Sequence, residues 1–298
     1  MDAPNGLDWS KGLNKKINRK VIIFYSILSI TVATVVGSTL NKIDLHMVVN
    51  QVKAQGIDYD AFRDMNLPVK VIALIKKDPN LLSKSKKLKW DSIDSLTLSM
   101  LLNQYDLKES SSISKRNANY LLQYLSYNEN FQELKEYYNS ILKDIEYFPV
   151  ENKSNGESFV TFGDSWNAYR SYGGNRRHEG TDLMPEENIR GYYSVISMTD
   201  GIVEKLGWLE QGGYRIGIRG NAGAYYYYAH LESYAPDLKL GDTIVAGQFL
   251  GYMGDSGYGT EGTTGMFDVH LHIGIYVEAA FGELSINPYN ILRYLEKE

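Results

Sequence analysis

The sequence predicts an α+β chain in three parts: an N-terminal transmembrane helix, a small all-α region and a C-terminal all-β domain, a sandwich or sheet. Three observations carry this. Residues 21–40 form a run of 20 without a charge. Glycine is unevenly spread, with four of the 27 in residues 1–145 and 23 in 146–298. Apolar residues recur at helical spacing before about residue 147 and in short β-branched and aromatic runs after it.

The run VIIFYSILSITVATVVGSTL has about the 20 residues needed to cross a bilayer core. The ten residues before it, KGLNKKINRK, carry five positive charges and no acid. Basic flanks stay inside. This assigns 1–20 to the cytoplasm and 21–40 to a single span of the cell membrane, with the remainder extracytoplasmic. A cleaved signal peptide is the main competing reading. It needs a small-residue cleavage site, and Val36-Gly37-Ser38 is a poor one. A buried core helix also fits the run, but such a helix is rarely flanked by so one-sided a basic block.

Residues 44–147 read as a helical spacer of unknown role: a stalk, a dimerisation element or a partner-binding module. Phe131, Leu134, Tyr138, Ile141, Leu142 and Ile145 fall on one helix face. Val69, Ile72, Ala73 and Ile75 suggest a second helix beginning at Pro68, which a first turn tolerates, and ending near Pro79. Asp91 or Ser92 is placed to cap a third, containing Ile93, Leu96, Leu98, Leu101 and Leu102. KESSSISKR at 108–116 reads as a polar loop or a helix start. KSKKLK at 84–89 reads as a solvated helix end, with acidic wall polymer or lipid headgroups as a possible contact. His46 reads as an ordinary helix residue.

From about 148 to 298 the runs GIVEKLGWL, YRIGIRG, AYYYYAHL, DTIVAGQFLGYMG and VHLHIGIYV alternate with glycine turns, an all-β pattern. Strand alternation puts Tyr226, Tyr228 and His230 on one face and Tyr225 and Tyr227 on the other. The 24 tyrosines serve either strand packing or stacking along a groove.

The chain has a net charge of −5 and no basic stripe, which argues against a nucleic-acid partner. It has no cysteine, which excludes disulfides and thiolate metal sites. A metal would therefore rest on histidine and carboxylates. There are five histidines, at 46, 178, 230, 270 and 272, and four lie in the β region. His178 and Asp182 are four apart. In His270-Leu271-His272 both imidazoles share a strand face, about 6–7 Å apart. That spacing suits one ligand and one adjacent catalytic imidazole. Two histidines and one aspartate form a donor set suited to tetrahedral zinc with a fourth position for water.

Five motifs in order give this region its resemblance. They are His178-Glu179-Gly180-Thr181-Asp182 (H-x-G-x-D), Asp200-Gly201-Ile202-Val203, Tyr228-Ala229-His230-Leu231 and Gly241 through Val245 and Gly247 to Gly251. The fifth is His270-Leu271-His272, and a closing Asn287-Pro288 follows. Residues 160–290 thus resemble the lysostaphin/LytM family of zinc metalloendopeptidases. The resemblance implies that His178, Asp182 and His272 ligate Zn2+ and that His230 and His270 are non-ligand catalytic histidines. It further implies hydrolysis of a peptide bond in peptidoglycan stems or cross-bridges during wall remodelling. The alternative it carries is an inert scaffold or activator in a division or sporulation complex. Inert relatives usually lose metal or catalytic positions, and here all five are filled. The approach to His270 departs from the family. Gly265-Met266-Phe267-Asp268-Val269 replaces a turn ending in Gly-Pro, Ile273-Gly274 replaces Phe-Glu, and the stretch DSGYGTEGTTG is long. Substrate preference is where these departures matter.

Overall fold

The computed structural model describes residues 19–77, 91–111, 113–152, 159–172 and 174–297. The basic segment before residue 19, Pro79 and the run 84–89 lie outside them. The chain divides into two compact units, Met1–Met47 and Val48–Glu298.

The described part of the first unit belongs to helix α1 (Arg19–Gln55). Its apolar side chains, among them Ile23, Phe24, Ile27, Ile30 and Val35, are exposed. The helix is long and apolar enough to cross a bilayer. The hydroxyls of Thr31, Thr34 and Thr39 donate to the carbonyls of Ile27, Ile30 and Val35, four residues back. Their polarity is thereby satisfied within the helix. His46 is an exposed helix residue. The helix continues unbroken past residue 44, where the spacer was expected to begin.

The second unit takes the last turns of α1, with Val49 and Val52 buried. Among the described residues five more helices follow: α2 (Tyr59–Arg63), α3 (Val69–Lys77), α4 (Ser92–Leu102), α5 (Lys115–Leu125) and α6 (Glu129–Lys143). Asp91 caps α4 in a capping box, accepting from the Asp94 amide at 2.8 Å while Asp94 accepts from the Asp91 amide at 2.9 Å. Ser114, inside the polar run 108–116, caps α5. The stripe Phe131, Leu134, Tyr138, Ile141, Leu142 and Ile145 is buried throughout.

The β region contains β1 (Val160–Thr161), β2 (Tyr169–Arg170), β3 (Arg176–Arg177), β4 (Thr181–Pro185), β5 (Ser194–Ile196) and β6 (Gly201–Leu209). It continues with β7 (Gly213–Gly220), β8 (Tyr225–Tyr234), β9 (Thr243–Ile244), β10 (Phe249–Met253), β11 (Leu271–Ala279) and β12 (Gly282–Ile286), and helix α7 (Tyr289–Leu295) closes the chain. Ten strands share one antiparallel sheet, whose main path runs β1-β4-β11-β8-β7-β6-β9; β2 and β3 form a separate ribbon.

Helices and sheet pack on each other. Tyr226 and Tyr228, fully buried, point to the back of β8. The Tyr226 hydroxyl donates to the Ile141 carbonyl of α6 at 3.1 Å, and the Tyr228 hydroxyl accepts from the Met198 amide at 2.9 Å. Asp144, which caps the C-terminus of α6, accepts from the Ala222 amide. Arg63 of α2 donates to the carbonyl and hydroxyl of Ser285 on β12, at 2.9 and 2.8 Å. The composition shift near 148 therefore marks a change of secondary structure, while burial and hydrogen bonding run across it within one unit.

Candidate metal centre

Strand pairing builds the site. Asp182 on β4 and His272 on β11 are direct partners in the antiparallel ladder. His178 lies just before β4, tied in by its amide to the Ala168 carbonyl at 2.8 Å. Gly180 makes the close approach possible. A Cβ there would sit 2.5 Å from His272 Cε1 and 2.6 Å from Nε2, and would also strike the Ile273 carbonyl oxygen. The glycine of H-x-G-x-D is thus a steric requirement of the neighbouring imidazole.

Three donor atoms converge. His178 Nε2 is 3.1 Å from Asp182 Oδ1 and 3.0 Å from His272 Nδ1, and His272 Nδ1 is 3.0 Å from Asp182 Oδ1. Zinc bonds of about 2.0–2.1 Å give a tetrahedral edge of about 3.3 Å, so this triangle matches one face of such a site. His178 Nδ1 is 3.0 Å from the Ser165 carbonyl. A carbonyl only accepts, so Nδ1 carries the proton and Nε2 of the neutral ring carries a lone pair. Two lone-pair atoms 3.1 Å apart stay together only with a cation or a proton between them. The donors therefore fit a resident divalent metal, and among the described residues this trio brings its ligand atoms within 4.8 Å of one another. Arg170 on β2 donates to the other carboxylate oxygen, Asp182 Oδ2, at 2.6 Å. Burial raises the Asp182 carboxyl, but its close contacts with the His178 and His272 rings and its electrostatic interaction with His272 and His270 outweigh it. The group is held far below the usual carboxylate range.

A second imidazole pair stands beside the triangle. The His230 and His270 rings lie 4.6 Å apart between centroids. His270 Nδ1 donates to the Asp268 carbonyl at 2.7 Å, and its Nε2 is 3.8 Å from Asp182 Oδ1, outside the donor triangle. His230 Nδ1 donates to the Ser256 carbonyl at 2.8 Å. Each ring therefore has its Nε2 lone pair free for chemistry. Burial first, then the neighbouring His270 and His272, push His230 well below its ordinary pKa and keep it neutral.

The placement of His230 corrects the alternation rule. Period two puts it behind the sheet with Tyr226 and Tyr228. Instead it lines the cleft with Tyr225 and Tyr227. Its φ is +64°, its amide donates to Gly212 O at 2.8 Å, and it is skipped in the register of β8 with β7, where the pairing shifts between Tyr214 and Ile216. This bulge turns the side chain over.

The cleft has a volume of about 710 Å³. Its floor is tyrosine laid across glycine: the Tyr225 hydroxyl occupies the space over Gly217, and the Tyr276 ring that over Gly274, where a Cβ would come within 2.7 Å of it. The long loop before His270 builds an aromatic wall. Tyr258 stacks on Tyr172 at 3.9 Å, and Phe267 lies 4.7 Å from Tyr258, 4.7 Å from His230 and 5.0 Å from His270. Tyrosine thus serves both core and groove. The sequence offered no signal for Arg170 or Ser165; Tyr258 and Phe267 stood out only as parts of departures from the resembled pattern.

Comparison with known proteins falls on the same region. The model of peptidase family M23 matches residues 176–288. The L-Ala–D-Glu endopeptidase of Bacillus subtilis is 38% identical over 167 residues, covering 56% of this chain and 49% of that protein. The glycyl-glycine endopeptidase ALE-1 of Staphylococcus capitis is 34% identical over 90 residues, 30% of this chain and 23% of its own. The chain thus spans about half the length of the first curated relative and less than a quarter of the second. A crystal structure of a LytM protein of Ruminococcus gnavus, to which glycyl-glycine endopeptidase activity is ascribed, superposes with a TM-score of 0.69 at 38% identity. It covers 84% of this chain and 96% of that one. Such coverage reaches well before residue 148, so the likeness includes helices as well as sheet.

Proposed function

The chain belongs to peptidase family M23, and from that premise we propose that it is a zinc-dependent endopeptidase cutting peptide bonds in peptidoglycan stems or cross-bridges. The observation that carries the proposal is the division of four imidazoles into two jobs within one cleft. His178 and His272 close a donor triangle with Asp182, while His270 and His230 stand beside it with their Nδ1 protons engaged by backbone carbonyls.

His178, Asp182 and His272 would hold Zn2+, with Arg170 and the Ser165 carbonyl fixing the orientation of two of them. Bound zinc supplies a Lewis acid for the scissile carbonyl and lowers the pKa of water towards neutrality. Within this chain, His270 and His230 act through Nε2. Each accepts a proton there and passes it on to the developing oxyanion or to the leaving amine. The aromatic wall of Tyr258 and Phe267 limits water around that transfer.

Residues 21–40 of helix α1, with the basic residues before them, are read as the membrane span, and the catalytic unit as extracytoplasmic. A reporter enzyme that works only outside the cytoplasm, fused after residue 145, tests this; a cytoplasmic signal overturns it.

The activity is tested with the full chain, zinc-loaded or chelator-treated, on purified peptidoglycan and on two synthetic peptides. One is a stem peptide containing the L-Ala–D-Glu bond named for the Bacillus subtilis relative. The other is an oligoglycine, after the glycyl-glycine relative. Metal-dependent release of peptide fragments is expected. A zinc-loaded chain that releases none would leave the inert scaffold as the function.

A further inference from the structure

The histidine end of the cleft does not account for its charge. The chain is acidic overall, yet Arg170, Arg176, Arg177, Lys205 and Arg215 all line this one cleft. The acids that line it are engaged: Asp182 with Arg170 at 2.6 Å, Glu179 with Arg63 at 3.2 Å and Glu283 with Arg219 at 3.8 Å. Among the described residues, no carboxylate forms an ion pair with Arg176, Arg177, Lys205 or Arg215. Charge of one sign gathered in a low-dielectric cleft draws in the opposite sign.

Arg215 is the informative member. It lies on β7 opposite Gly207 of β6, with Lys205 diagonal to it on the same face. Gly207 leaves open space on the neighbouring strand, while the space over Gly217 is taken by the Tyr225 hydroxyl. Its Nη1 is buried and has no hydrogen-bond partner in the protein. An unpaired buried guanidinium donor is costly, and the residue type is the one best shaped to grip a carboxylate with two parallel N–H bonds. The groups around it are the phenols of Tyr225, Tyr227 and Tyr234. Burial pushes the Tyr225 hydroxyl up to about 12, and it raises the other two as well. The phenols therefore stay neutral and do not balance the arginine.

We infer that Arg215, with Lys205 beside it, forms an anion subsite for a free carboxylate on the substrate peptide. The substrate class is then an acidic peptide strand and not a neutral oligoglycine bridge. The inference rests on the endopeptidase reading but concerns different residues. A purely structural Arg215, capping the tyrosine floor, would give no dependence on substrate charge.

The experiment uses the zinc-loaded full chain and the stem peptide above, made with its glutamate as the free acid or as the carboxamide. The free acid should be preferred about tenfold or more in kcat/KM, chiefly through KM, and the preference should shrink as salt is raised. Arg215→Gln should bring the ratio of the two peptides towards one, and Arg215→Lys should restore part of it. Equal cleavage of both peptides by the parent overturns the subsite while the endopeptidase reading stands. Full preference retained in Arg215→Gln overturns it too. If neither peptide is cleaved, the endopeptidase reading fails only when purified peptidoglycan and the oligoglycine are also left intact, and in every such case calorimetric binding decides the subsite: tighter binding of the free acid upholds it, equal binding overturns it. Should Arg215→Gln fail to fold by thermal melting, Lys205→Gln carries the same comparison, with a smaller loss of preference expected and an unchanged ratio counting against the subsite.

Discussion

Replacing the two histidines of His-Leu-His one at a time separates metal binding from catalysis. His272 Nδ1 is a vertex of the donor triangle, 3.0 Å from both His178 Nε2 and Asp182 Oδ1. His272→Ala leaves two protein donors 3.1 Å apart. If the roughly 10–16 kcal/mol of a four-ligand zinc site is shared among its ligands, one ligand is worth about 3 kcal/mol, or two orders of magnitude in affinity. Zinc and activity should both be lost. His270 contributes no vertex: its Nδ1 is bound to Asp268 O, and its Nε2 stands 3.8 Å from Asp182 Oδ1. His270→Ala should keep zinc and lose about 10²–10⁴-fold in rate, as the removal of a general acid–base group does. His230→Ala should behave like His270→Ala. The assay is zinc affinity by competition with a chromophoric chelator, paired with the rate of peptide release from purified peptidoglycan. Equal zinc loss in His270→Ala and His272→Ala would refute the division of roles. Undiminished activity in His270→Ala would remove that residue from the chemistry.

Gly180→Ala forces a methyl to 2.5 Å from His272 Cε1, so β4 and β11 must part by nearly 1 Å where the donors meet. A stability loss of about 1–3 kcal/mol is expected, together with weaker zinc binding, read by thermal melting and chelator competition; parental values would show that the strands yield freely. Arg170→Met frees Asp182 Oδ2 and should lower zinc affinity about 10–100-fold, and an unchanged affinity would show that Arg170 does not orient the carboxylate. For pH, His230 has a folded-state pKa below its unfolded value of about 6.5, so the unfolded chain binds more protons below that pH. Stability of the metal-free chain should fall as pH drops below about 6.5, by up to about 1.4 kcal/mol per pH unit for this residue, and His230→Gln should flatten the urea-midpoint profile. Residues 48–298 should unfold in one step, with far-ultraviolet dichroism and tryptophan fluorescence tracing the same urea curve; two separated transitions would make the helical segment an independent domain.

Much of the site is legible in the sequence because its spacings are local. His178, Gly180 and Asp182 fall within five residues, and His270 and His272 share a face by simple alternation. The helix stripe of Phe131 to Ile145, the Asp91 cap and the uncharged run in α1 are equally local patterns, governed by the period of a helix or the reach of one side chain. The side of the sheet taken by His230 is not. Alternation sends it to the back with Tyr226 and Tyr228, and a left-handed backbone held by Gly212 and Ser256 returns it to the cleft. The same limit hides Arg170, twelve residues from the carboxylate it grips, and Arg215, whose buried, unpaired Nη1 is defined only by what surrounds it. It also hides the docking of α2 and α6 on the strands, where Arg63 meets Ser285 and Ile141 meets Tyr226. Periodicity reports which way a residue faces within its own element. Which elements meet, and which buried charge is left without a partner, depends on contacts between residues far apart in the chain, and only the tertiary structure brings those together.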